Sequence, residues 1–271
     1  MRKKWWWLIA GLIVISLSGG YWWHYRHQTI ERGTLRATTF ALVSSAENPS
    51  LDYRQQYRYI EDIHDGRGYT AGIIGFTSGT GDLLKVVEKY QRLAPGNRLV
   101  KYLPALRRVN GSASHRGLGA AFVRDWRRSA RDSKLVRAQN ELVDQMYLKP
   151  AVKAAQADGL PPLGQYIYYD ALVVHGPGRD ATSFGGIRRA AKLRVRTPAQ
   201  GGSLKTYLRT FLTVRAKVMR QETAHHDLSR LNTQWQFVLA GKNQLQLPLT
   251  WKMYGQAFTL TKPRLKQLMA E

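Results

Sequence analysis

Residues 44–82 read SSAENPSLDYRQQYRYIEDIHDGRGYTAGIIGFTSGTGD, and the rest of the chain is organised around them. From Glu47 to Asp82 the stretch holds six acids (Glu47, Asp52, Glu61, Asp62, Asp65, Asp82) against three bases (Arg54, Arg58, Arg67), in a protein whose formal net charge is +24. Such a reversal of sign is either a solvated acidic face or a functional slot, and the local structure decides between them.

Phe40, Leu42, Val43 and Ala46 recur at helical spacing and bring Glu47 to a helix end, where Pro49 stops the helix because proline has no amide to donate. A second helical piece is expected over Leu51 to Ile63. Asp65-Gly66-Arg67-Gly68 then reads as a tight turn leading into a short strand over Tyr69 to Phe76. One carboxylate thus ends a helix and another opens a hairpin. That is the layout of a glycosidase cleft, in which an acid protonates the leaving oxygen and a base activates water across the sugar.

The same residues resemble the chitosanases of glycoside hydrolase family 46. The motifs are S-S-A-E-N, then Y-I-E-D-I-x-D-G-R-G-Y-T and G-I-I-G-F-x-S-G-T-G-D. They continue downstream in YLPAL (Tyr102 to Leu106), VNGSASH (Val109 to His115), LGQ with YYDA (Leu163 to Ala171), HGPG (His175 to Gly178), TSFGGIR (Thr182 to Arg188) and RTPAQGG (Arg196 to Gly202). The resemblance spans roughly Thr38 to Tyr254. It implies an inverting endo-glycosidase acting on β-1,4 linkages of chitosan, without metal or organic cofactor. On this resemblance Glu47 is the general acid, Asp65 the general base, and Thr70 helps hold the attacking water. Tyr53, Arg67, Asp82 and Glu222 fall on substrate-binding positions, Asp82 and Glu222 pairing with sugar amines. Asp170, Arg215 and Arg230 match a buried charge network whose last arginine reaches toward Glu47. Three positions depart from the family: Thr77 replaces a common cysteine, His64 a usual glycine, and His226 an acid.

The N-terminus reads differently. MRKK is followed by an uncharged, mostly apolar stretch, Trp5 to Trp23, with aromatics at both ends and no clear A-x-A cleavage site. It is just long enough to cross a bilayer, so an uncleaved anchor is placed ahead of a cleaved signal, with the bulk of the chain outside the cytoplasm. Either way the protein is exported, secreted or tethered facing outward. Residues 24–37 read as a basic tether, leaving 38–271 as the catalytic domain. The chain has no cysteine and relies on its core alone.

Helical spacing recurs over Leu83 to Tyr90, with Asp82 as N-cap, and over Leu118 to Ala130, Ser133 to Tyr147, Ala151 to Asp158, Leu163 to Val174, Ser203 to Met219 and Glu222 to Ala240. The expected fold is mainly α with one small β-hairpin. Two helical lobes flanking a substrate cleft, as in lysozyme-like architecture, are implied by the resemblance.

Other chemistries lack their signatures. The seven histidines include one adjacent pair, His225-His226, which helical geometry points about 100° apart, and no H-E-x-x-H occurs, so no metal is expected. Ser78-Gly79-Thr80-Gly81 lacks the P-loop lysine and precedes an acid. No G-x-S-x-G elbow is present. The net charge alone favours polyanions, but the bases are spread along helices without a nucleic-acid motif. Two alternatives therefore stand beside chitosan: hydrolysis of an anionic cell-wall glycan, and a basic membrane-tethered polyanion-binding protein with a degenerate cleft. A monomer is expected.

Overall fold

The computed structural model describes residues 28–221 and 227–270. The fold is mainly helical with two small antiparallel sheets.

Helix α1 (Gly33–Glu47) is the axis: every residue from Ala37 to Ala46 is buried. It ends where expected. Asn48, the residue before Pro49, is extended at φ −146°, as the steric demand of the proline ring requires. The boundary drawn at residue 37 falls inside this helix, and the expected tether is folded from residue 28 onward. Ile30 is completely buried, and its N–H donates to Gln165 Oε1 at 3.1 Å. Arg36 bonds Asp144 Oδ1 at 2.5 Å and lies over the Phe40 ring. The periodic apolar set, starting at Phe40, concealed this earlier, more polar start.

The helix expected over Leu51 to Ile63 is replaced by a 3-10 segment, Tyr53–Arg58, and a strand, β1 (Ile60–Asp62). Tyr59 turns extended (ψ 135°), so its carbonyl accepts from Gly72 N rather than from a helical neighbour. The strand expected over Tyr69 to Phe76 is two: β2 (Tyr69–Ala71) and β3 (Phe76–Thr77) form a three-stranded sheet in the order β1-β2-β3. Gly72 makes the turn between them at φ +80°, where a Cβ would stand 2.4 Å from Gln139 Oε1.

Helices α2 (Asp82–Leu93), α3 (Leu103–Val109), α4 (Ala120–Ser129) and α5 (Ser133–Val143) follow. Gly81, not Asp82, is the N-cap of α2, and Asp82 opens the helix. From α5 the chain passes through a π-turn, Asp144–Leu148, into α6 (Lys149–Ala157), so the expected break there is a bulge in one continuous helix. Helix α7 (Pro162–His175) is buried from Pro162 to Leu172. Then come α8 (Phe184–Lys192), α9 (Leu204–Met219) and α10 (Ser229–Leu239). The helix expected from Glu222 is described only from Ser229.

A second hairpin was not expected. Strands β4 (Leu249–Met253) and β5 (Gln256–Leu260) pair antiparallel, and α11 (Lys262–Ala270) closes the chain against α1. Tyr254 (φ +50°) and Gly255 (φ +80°) form the two-residue turn, with the positive φ at both positions that matches strand twist.

Candidate active site

The C-terminal ends of α1, α7 and α9, the first sheet and the β4–β5 turn converge on a cleft of about 580 Å³. Glu47, Thr70, Asp82, Arg67 and Arg230 line it, as do Tyr147, His175, Asp227 and Tyr254.

Glu47 sits where the buried helix meets the cleft, its side chain 39% exposed. Arg230 Nη2 donates to Glu47 Oε1, and Arg230 Nη1 stands 3.5 Å from Asp170 Oδ1. Behind them Arg215 Nη1 donates to Asp170 Oδ2 at 2.7 Å and Gln234 Nε2 to the same oxygen at 2.8 Å. Asp170 and Arg215 are wholly buried. Burial alone would raise the Asp170 pKa, but the two guanidiniums outweigh it and hold the carboxyl below its ordinary value. These contacts link Arg215, Asp170 and Arg230 in a chain that ends on Glu47.

Asp65 occupies the turn between β1 and β2. Its Oδ1 accepts from Arg67 N at 3.0 Å, and its Oδ2 from Arg67 Nε and Nη2 at 2.8 and 2.5 Å. Partial burial pushes its pKa up, and the Arg67 bonds more than reverse this, leaving it lowered. An aspartate so held is ionised across the neutral and mildly acidic range. Beside it His64 takes a left-handed backbone (φ +56°), a conformation that glycine adopts more readily. Asp62 secures it, accepting from His64 N at 2.8 Å.

Thr70, on β2, is 7% exposed and lines the cleft, and its Oγ1 has no hydrogen-bond partner among the described residues. A buried orphan hydroxyl is costly unless something at the site uses it.

Asp82 is more committed than the sequence suggests. Its Oδ1 accepts from Thr77 N (2.6 Å), Thr80 Oγ1 (2.8 Å) and Leu83 N (2.9 Å), tying strand to helix, while Oδ2 has only Tyr147 OH at 3.5 Å. Burial raises its pKa despite these bonds. Thr77 Oγ1 and Thr80 Oγ1 are hydrogen-bonded at 2.6 Å, and both belong to this turn.

Tyr53 does not join the cleft. It packs edge-on to Phe40 at 5.6 Å and lines a separate groove with Arg36 and Asn140, because the 3-10 turn carries it to the other side of α1. Glu222 and His226 lie outside the described residues. Sequence reasoning missed Tyr147, Tyr254 and Asp227. Tyr147 is carried in by the π-turn, a device frequent at functional sites and without a sequence signature. Tyr254 was findable, since Tyr-Gly between alternating apolar residues signals a hairpin. Among the described residues no group of three or more His, Asp or Glu has metal-site geometry.

The chain matches the family model for glycosyl hydrolase family 46 over residues 41–249. It is 58% identical over 220 residues to a chitosanase from a Streptomyces species, covering 81% of this chain and 79% of the relative. It is 56% identical over 220 residues to a chitosanase from a Nocardioides species, with the same coverage. A chitosanase co-crystallised with substrate superposes with a TM-score of 0.84 at 47% identity, over 86% of this chain and 99% of that one. These likenesses establish that the chain belongs to glycosyl hydrolase family 46 and is a glycosidase.

Proposed function

We propose that the protein hydrolyses β-1,4 bonds within chitosan by single displacement with inversion. Glu47 donates a proton to the glycosidic oxygen, and Asp65 takes one from a water that Thr70 helps to hold. The observation that carries this reading is the placement of a partly exposed Glu47, anchored by Arg230, in the same cleft as the unpartnered Thr70 hydroxyl, with Asp65 ionised in the adjoining turn.

Electrostatics fit a cationic substrate better than the net charge suggests. Both arginines lining the cleft are tied to carboxylates, Arg67 to Asp65 and Arg230 to Glu47. Asp82 and Asp227, the lining acids outside these two pairs, therefore set the local sign, and a Debye length of about 8 Å screens the more distant bases. Asp82 Oδ2 and Asp227 are the acids that would meet sugar amines, together with Glu222. The anionic-glycan and polyanion-binding alternatives are not favoured, because the likenesses run to chitosanases and the catalytic groups are intact.

Residues 1–23 supply the reading of export, with Trp5 to Trp23 as anchor or signal. They lie outside the described residues, and among the described ones no helix is long and apolar enough to cross a membrane. Proton NMR of a chitosan oligomer during digestion tests the proposed mechanism. The α-anomer must appear first; initial β-anomer contradicts inversion.

A further inference from the structure

Besides the cleft, the described residues form a groove of about 900 Å³ between the start of α1, the start of α11 and the loop before β4. Leu247, Leu265 and Met269 give it an apolar floor, Met269 being 46% exposed. Arg32, Lys262 and Lys266 are exposed on its rim, no acid lines it, and none of the three makes an ion pair among the described residues. Two features mark its wall. Gln244 Oε1 is buried without a hydrogen-bond partner. Leu245 holds φ +51°, a strained conformation for a bulky residue.

The chain enters at this groove. Gln28, its first described residue, lines it, and only five residue steps separate Gln28 from Trp23, the end of the apolar stretch. Five steps reach at most about 18 Å. If residues 5–23 insert in a bilayer, the groove is held at the headgroup layer. Helix α1 then leads away from it, carrying Glu47 roughly 21 Å farther along its axis, at about 1.5 Å per residue from Gly33.

We propose that this groove docks the anionic phospholipid surface of a bilayer. Acyl and glycerol atoms meet the apolar floor, and phosphates meet Arg32, Lys262 and Lys266. The proposal rests on the anchor reading of residues 5–23 and adds an orientation: groove on the membrane, cleft facing away.

Because the chain has no cysteine, a single introduced one is a unique label. Met269→Cys and, just past the end of α8, Leu193→Cys (Leu193 is 82% exposed) are made in the full chain, labelled with a fluorophore and reconstituted into vesicles carrying doxyl lipids. The vesicles are phosphatidylcholine alone or mixed 3:1 with phosphatidylglycerol. In the mixed vesicles the label at 269 should be quenched several-fold more than that at 193. The triple variant Arg32→Glu/Lys262→Glu/Lys266→Glu should remove this difference with thermal midpoint and circular dichroism unchanged. It should also weaken partitioning of residues 28–271 onto mixed vesicles by about 100-fold or more, since loss of each cation alone contributes about fivefold and the introduced glutamates add repulsion. Equal quenching at 269 and 193 while the chain floats with the vesicles overturns the docking and leaves the anchor standing. Equal results in the two lipid mixtures overturn the anionic preference. A full chain that does not float overturns the anchor, and with it the docking.

Discussion

Arg67 grips Asp65 through two donors on one oxygen: Nε and Nη2 stand 2.8 and 2.5 Å from Oδ2. The arginine expected to contact sugar lines the cleft and also holds the proposed base. Removing it withdraws the cause that lowers the Asp65 pKa, so Arg67→Gln should raise that pKa. The base must be ionised to act. The acid limb of the kcat/KM profile should therefore move to higher pH, with activity lost first in acid. A limb that stays in place assigns it to another group.

Thr70→Val removes the orphan hydroxyl at nearly constant volume. No hydrogen bond among the described residues is lost, so the thermal midpoint should hold or rise slightly. If the hydroxyl positions water, kcat should fall about 10-fold or more with KM little changed, and Thr70→Ser should recover most of it. Full kcat in the valine variant removes Thr70 from the mechanism.

The charge network behind Glu47 is a stability device as well. Arg215→Met deprives the wholly buried Asp170 of its 2.7 Å partner, and breaking a buried pair from one side costs about 3–5 kcal/mol. Denaturant unfolding measures this. Because the Asp170 pKa is lowered in the folded protein, the carboxylate contributes stability that is present above its unfolded value of about 3.9 and is lost as pH falls through the folded value. Asp170→Asn should flatten that acid limb of the thermal midpoint. An unchanged limb places acid sensitivity elsewhere.

Asp82 has the opposite sign. Burial raises its pKa, so ionisation opposes folding at neutral pH, and its proton stabilises fully only below about 3.9. Asp82→Asn keeps the Oδ1 acceptor for Thr77, Thr80 and Leu83. It should equal or exceed the parent in thermal midpoint at pH 7, with the gap closing below pH 4, while kcat/KM on chitosan falls if Oδ2 meets an amine. A drop in midpoint at pH 7 means that the negative charge itself holds the turn.

The central helix was legible because its apolar periodicity and Pro49 agree, and the motif around it carried the family and the positions of Glu47, Asp65 and Thr70. What periodicity concealed is local and physical. Tyr53, Tyr57, Ile60 and Ile63 have helical spacing yet fold as a 3-10 turn and a strand edge, since pairing of Ile60 with Ala71 is a long-range choice. The β4–β5 hairpin was readable, with Leu249, Trp251 and Met253 buried alternately, but it lay beyond the helical rhythm. Ile30 and Arg36 belong to the core through Gln165 and Asp144, partners more than 100 positions away.

The most direct test measures reducing-end release from chitosan and from peptidoglycan by the full chain, beside Glu47→Gln and Asp65→Asn. Chitosan should be cut and peptidoglycan left, with both variants folded and slower by about two orders of magnitude or more. A folded protein that leaves chitosan intact, or a Glu47→Gln variant that retains full rate, contradicts the proposed chemistry.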